Sequence, residues 1–165
     1  DNDYSGSGFS RGHIVPSGDR TRSIADNSAT FLMTNIMPQL AANNEGPWND
    51  LETYLRTLAA SGNEIYIVSG PTGQQGTIAG GKIVVPQHTW KVVLILPNGN
   101  NDLLRVTGSA RAFGIVVPNF SPISSNAWRT YRVTVDAVEY LTGHNFFSEV
   151  PKNTQELIER KRDNL

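Results

Sequence analysis

Residues 46–62 read GPWNDLETYLRTLAASG, and the reading of this stretch frames the whole chain. Trp48, Leu51, Leu55 and Leu58 recur at steps of three and four, which gather on one face of a helix with 3.6 residues per turn. Pro47 suits the first helical position, because the N–H it lacks is one that the first turn leaves without a partner. Asp50 and Glu52 favour the positive N-terminal end, and Gly62 is a natural stop. The spacing therefore predicts one helix with one apolar stripe to bury. Its burial partner is legible further along. Segments 64–70 (EIYIVSG), 82–96 (KIVVPQHTWKVVLIL), 110–119 (ARAFGIVVPN) and 131–138 (YRVTVDAV) are rich in Val, Ile, Tyr and Trp and bounded by Gly, Pro or Asn. Such segments read as strands separated by turns, so the fold class is α+β.

The remaining stretches add detail to that frame. A shorter helix is expected after Asp26, a candidate N-cap ahead of NSATFLMT. The C-terminal NTQELIERKRDNL alternates acids and bases and reads as a solvated terminal helix. Residues 69–81, SGPTGQQGTIAGG, read as an exposed loop; their G-x-x-G-x-x-G spacing lacks the Lys-Ser/Thr of a phosphate loop. No repeat or low-complexity linker divides the 165 residues, so residues 1–165 are expected to form a single domain.

Composition excludes several classes of function. Fourteen basic residues against fifteen acidic ones give a formal charge of -1, so no large positive field attracts polyanions, and any affinity for nucleic acid must be local. Cysteine is absent, which removes disulfides, thiolate metal sites and a cysteine nucleophile. No apolar run approaches the ~20 residues that span a bilayer, and the opening DNDYSGSG has no signal-peptide character, so no membrane partner is expected. Asn119-Phe120-Ser121 fits a glycosylation sequon, a tripeptide frequent by chance.

The candidate chemistry starts from residues 9–17, FSRGHIVPS. Arg11 and His13 are two apart, hence on one face of an extended segment that Pro16 ends. A cation beside an imidazole lowers its pKa and favours the neutral form that a general base needs. His88 and His144, without a comparable set of neighbours, read as structural side chains. Residues 40–56, LAANNEGPWNDLETYLR, place Asn44 just ahead of the long helix and Glu52 and Arg56 within it. An amide oxygen, a carboxylate and a guanidinium could converge there, a set suited to magnesium and a phosphodiester. The bland alternative is that Glu52 and Arg56 form an exposed i, i+4 ion pair worth a few tenths of a kcal/mol.

Six blocks in order, SRGHIVPSGDRT, ATFLMTNIMPQ, NNEGPWNDLETYLR, EIYIVSGPTG, VPQHTWKVV and LTGHNFF, resemble the DNA/RNA non-specific endonucleases, the sugar-non-specific nucleases of the ββα-metal (His-Me finger) class. The resemblance runs over nearly the whole chain. It implies a central antiparallel sheet flanked by helices and a magnesium-dependent endonuclease, with manganese a possible substitute. Such an enzyme leaves 5′-phosphates on single- and double-stranded DNA and RNA. By the same resemblance, His13 is the general base for water, Asn44 the direct metal ligand, and Glu52 the acid that holds metal waters. Arg11 and Arg56 are cations near the phosphate, and Asn35 supports the site. The resemblance also implies a secreted or periplasmic location and allows a proteinaceous inhibitor.

Two departures stand out. The family motif is usually Asp-Arg-Gly-His, whereas this chain has Ser10-Arg11-Gly12-His13. Family members also carry several dozen residues ahead of this motif, including strands of the sheet. The sequence reading therefore expects that the N-terminal part is supplied by a separate chain or is missing. A catalytically attenuated or inactive nucleic-acid-binding module on the same fold is the alternative reading.

Overall fold

A computed structural model describes residues 2–123 and 128–165. Its strands are β1 (Ser10–His13), β2 (Ile36–Gln39), β3 (Asn63–Thr72), β4 (Gly76–Ile78), β5 (Ile83–Val85), β6 (His88–Pro97), β7 (Arg111–Pro118) and β8 (Arg132–Val133). The helices are α1 (Ile24–Ala29), α2 (Ala41–Asn43), α3 (Asn49–Ala60), α4 (Asp102–Arg105), α5 (Val135–Thr142) and α6 (Lys152–Glu159). The main sheet is antiparallel throughout, in the order β3-β6-β7-β8. A separate two-stranded ribbon, β1-β2, precedes α3, and together they make a ββα unit. The architecture is the expected α+β fold, an antiparallel sheet flanked by helices.

The sheet is a middle layer because β6 is apolar on both faces. Trp90, Val92, Leu94 and Leu96 pack with Val135, Val138, Phe146 and Ile158 of the α5–α6 side. Val93 and Ile95 point the other way and join Trp48, Leu51 and Leu55 with Phe113 and Ile115. The stripe read in residues 46–62 is thus core, and burial of each such large side chain contributes roughly 1.5–3 kcal/mol. Gly62, at φ +92°, takes the left-handed conformation that ends α3.

Several local readings are corrected. Helix α1 is capped by Ser23, whose Oγ accepts from Asp26 N at 3.1 Å and donates to Asp26 Oδ2 at 2.8 Å. Asp26 is therefore the reciprocal partner three residues inside the helix, because Ser-x-x-Asp satisfies two groups where a lone Asp cap satisfies one. Residues 69–81 are only partly loop: β6 is long enough to pair β3 as far as Thr72, and Gly76–Ile78 pairs with Ile83–Val85. The terminal helix stops at Glu159, and the segment after it is anchored. Asp163 is buried and pairs with Arg111 at 2.8 Å and Arg132 at 3.1 Å. Asn119 of the sequon is fully buried, accepting from Leu40 N and donating to the carbonyls of Pro38 and Pro86. No helix among the described residues is long and apolar enough to cross a membrane.

Asp136, Glu139 and Glu159 bring carboxylate oxygens within 4.8 Å of one another between α5 and α6. Burial, aided by the two neighbouring acids, pushes the Glu159 carboxyl up to about 7. Since this lies above the unfolded value, folded Glu159 keeps a proton that the unfolded chain has released. The resulting stability is full below the ordinary carboxylate range and is lost as pH rises to about 7. Glu159→Gln is expected to flatten that dependence in thermal unfolding. At pH 8 it is expected to raise the midpoint by about 3–6 °C.

Candidate active site

The site begins with the packing of β1 on β2. Ser10, Arg11, Gly12 and His13 lie opposite Gln39, Pro38, Met37 and Ile36. Strand alternation puts Arg11 and His13 on one face. Gly12 faces Gln39 so closely that a Cβ there would sit 2.1 Å from Gln39 Oε1 and 2.8 Å from its Cβ. Only glycine fits between Arg11 and His13.

The chain just past His13 is clamped by Asn35. Its backbone carbonyl accepts from Ile14 N at 2.9 Å, and its side-chain Oδ1 accepts from Val15 N at 3.0 Å. Its Nδ2 donates to the carbonyls of Val15 and Thr30, each at 2.8 Å. Asn35 thus holds the turn that carries His13. Trp48 ties α3 to the same strand by donating Nε1–H to the His13 carbonyl at 3.2 Å.

Backbone geometry separates the two adjacent asparagines of residues 43–44. Gly46 leaves helical geometry at φ −98°, ψ −117° and kinks the segment Asn44–Trp48 ahead of α3. Asn43 is fully buried, accepting from Gln39 Nε2 at 3.0 Å and donating to Thr89 Oγ1 at 3.0 Å. Asn44 instead lines a cleft of ≈ 440 Å³ together with His13, Glu52 and Arg56. Four of the residues singled out in the sequence therefore share one concavity. Arg11 and Ser10 line an adjoining cleft of ≈ 800 Å³ that also includes His13. Asn35 is part of neither lining and bears on them through the turn after His13.

Burial and, secondarily, the Arg11 guanidinium hold the His13 imidazole below its ordinary value. Its Nε2 is enclosed without a hydrogen-bond partner, and the Phe31 ring meets it edge-on at 4.9 Å between centroids. Burial and the Arg11 charge disfavour the imidazolium, and a pKa below the ordinary value leaves His13 neutral near pH 7.

Glu52 and Arg56 do not pair with each other. Helix α3 turns Glu52 toward the sheet, where its Oε1 lies 3.2 Å from Lys91 Nζ. Arg56 reaches Asp19 at 3.1 Å and Thr53 Oγ1 at 3.2 Å. Lys91 is 1% exposed, sits 3.8 Å from the centroid of the Trp48 ring, and donates to the Ile14 carbonyl at 3.4 Å. Burial pushes the Glu52 carboxyl up and the Lys91 ammonium down, and their mutual attraction opposes both shifts.

Lys91 and Asp19 were not singled out in the sequence. A signal for Lys91 did exist: residues 89–96, TWKVVLIL, are apolar without alternation, so both faces are buried and a lysine among them needs an anionic partner. Asp19 lacked even that. His88 and His144 pack against aromatic rings, His88 on Phe120 and His144 near Trp90 and Phe146, in keeping with structural roles.

This chain belongs to the DNA/RNA non-specific endonuclease family, whose model matches residues 1–153. It is 49% identical over 161 residues to a nuclease of a Nostoc species, covering 98% of this chain and 58% of that protein. It is 32% identical over 165 residues to the mitochondrial nuclease EXOG of Homo sapiens, covering 92% and 43%. The chain thus spans about half the length of these relatives. The fold is shared with a chain of the EndoG/EndoGI complex, a crystal structure addressing EndoG inhibition, at a TM-score of 0.75 and 24% identity over 93% of this chain and 64% of that one.

Proposed function

We propose that this chain is the catalytic part of a magnesium-dependent, non-specific endonuclease that cleaves DNA and RNA, single- or double-stranded, to 5′-phosphate products. The observation that carries the reading is the single cleft shared by His13, Asn44, Glu52 and Arg56, with a histidine kept neutral at its edge. The donor set suits a hard divalent cation: an amide oxygen and a carboxylate share the wall, and magnesium takes few protein oxygens. Asn44 would hold the ion and Glu52 its waters, and manganese accepts the same oxygens. When bound, the ion would supply charge stabilisation to the phosphoryl and leaving oxygens.

The rest falls to the chain's own residues. Neutral His13 takes a proton from the attacking water as its oxygen bonds to phosphorus and the P–O3′ bond breaks. Arg11 and Arg56 hold the phosphoryl oxygens, and Asn35 positions His13 through the clamp on Ile14 and Val15. Contacts to phosphate and sugar leave the bases largely unread, so cleavage is broad.

The test is incubation of supercoiled plasmid and of RNA with the protein in magnesium, manganese or chelator. Nicking and RNA loss with either metal and none in chelator are expected; cleavage that persists in chelator would overturn the reading. Ser10→Asp is expected to raise the rate roughly tenfold by restoring a carboxylate beside Arg11 and His13. That carboxylate also offsets the Arg11 charge, so the acid limb of the pH profile should move up with the rate. An unchanged rate and profile would show that serine is tolerated.

The exposed Tyr66, Ile67 and Val68 on β3, one of the two border strands of the main sheet among the described residues, support a further polypeptide segment pairing there. An inhibitor protein is a second candidate partner, given the inhibited complex of the EndoG relative. Export to the periplasm or medium is the location this reading favours.

A further inference from the structure

The ≈ 800 Å³ cleft on the Arg11 side of His13 has walls unlike those of the metal-side cleft. Phe9, Phe31, Met33 and Ile36 line it together with Arg11 and His13. Apolar groups that face solvent in this number need a reason, and three successive residues, Phe31, Leu32 and Met33, are 56%, 60% and 49% exposed. They come from the turn between α1 and β2, whose backbone is fixed by Asn35 N donating to Leu32 O at 2.8 Å and Asn35 Nδ2 donating to Thr30 O. The ring of Phe31 is thus presented on a rigid support, half in solvent, with its centroid 4.9 Å from that of His13.

We infer that this cleft is a nucleobase subsite, in which Phe31 stacks against the base of the nucleotide joined to the scissile phosphate that Arg11 holds. The inference deepens the nuclease reading and rests on it for the position of the scissile bond. The chemistry favours a base over other occupants. An exposed aromatic face joined to a cation matches a flat ring joined to an anion, and the cleft is continuous with the proposed catalytic residues through His13. Stacking also tolerates every base, because each has a π-face, so the subsite adds affinity without adding sequence preference. Bases inside a duplex are stacked on each other and reach such a ring only when unpaired or turned outward. The subsite therefore favours single strands over duplex.

The test uses binding in chelator, where no cleavage is expected. A fluorescein-labelled oligothymidylate and an abasic phosphodiester strand of equal length are titrated with the unaltered protein, Phe31→Ala and Phe31→Tyr, and anisotropy is read. The oligothymidylate is expected to bind roughly tenfold tighter than the abasic strand, with Phe31→Ala removing the difference and Phe31→Tyr keeping it. Equal affinity for both strands in the unaltered protein would overturn the proposal. So would an equal loss on both strands in Phe31→Ala, since that would reduce Phe31 to a prop for His13. Phe31 is more than half exposed, so its replacement leaves the core intact; thermal unfolding of each variant verifies this. The plasmid assay separates the two readings: cleavage without base-dependent binding sinks only the subsite, and base-dependent binding without cleavage sinks only the nuclease.

Discussion

His13→Ala is expected to lower the rate of phosphodiester cleavage by about 10²–10⁴-fold, the range associated with loss of a positioned general base. The loss should fall on kcat, because a general base, the role proposed for His13, takes its proton in the transition state and adds little to ground-state binding. The unaltered protein should show a rate that climbs with pH and levels off before neutrality, because burial and Arg11 hold the imidazole below its ordinary value. That limb should disappear in the variant, and added imidazole should restore part of the rate by entering the vacated space. Initial rates on a labelled oligonucleotide across pH 5–9 measure all three. A variant as fast as the unaltered protein would remove His13 from the mechanism.

Lys91→Met is expected to destabilise the fold by about 3–5 kcal/mol, the usual consequence of removing one partner of a buried ion pair. For a chain of this size that corresponds to a midpoint lower by about 10 °C. The cause is Glu52, left largely buried at the cleft wall without its ion-pair partner, while Arg56 already serves Asp19. Burial already pushes its carboxyl up, and without Lys91 the main opposing influence is gone, so the protonated form is favoured further. Activity should therefore fall as well, because the cleft loses its carboxylate. The double variant Glu52→Gln, Lys91→Met should recover much of the stability but none of the activity, since the mutual need for charge is gone while the acid is still missing. Equal stability of Lys91→Met and the unaltered protein in thermal unfolding would show that the pair is not held as an ion pair.

Much of this organisation is legible in the residues. The stripe Trp48, Leu51, Leu55 and Leu58 fixes helix α3, and its burial follows from period alone. Strands β3, β6 and β7 follow from Val- and Ile-rich runs bounded by turn residues, whereas residues 82–96 divide into β5 and β6, and of residues 131–138 only Arg132–Val133 is strand, helix α5 starting at Val135. His13 and Arg11 share a face because strand side chains alternate, and both line one cleft. Other features needed three dimensions. The capping pair Ser23 and Asp26 is present in the sequence, but Asp26 by itself looks like the cap. The charges after Glu159 look solvated, and only folding brings Asp163 back to Arg111 and Arg132.

The sequence by itself determined which residue types this protein carries, the period of its elements and the family to which its blocks are similar, because these depend on local order along the chain. It singled out Asn44 but could not show that the neighbouring Asn43 is buried away from the cleft, because that depends on the kink at Gly46 and on the buried partners Gln39 and Thr89. Nor could it pair Glu52 with Lys91, 39 residues away, in preference to Arg56 one turn along the same helix. A nearby charge in the sequence is reached through solvent, whereas a distant one brought into a dry interior must be matched there. Tertiary structure makes that choice because burial, more than proximity along the chain, decides which charges need each other.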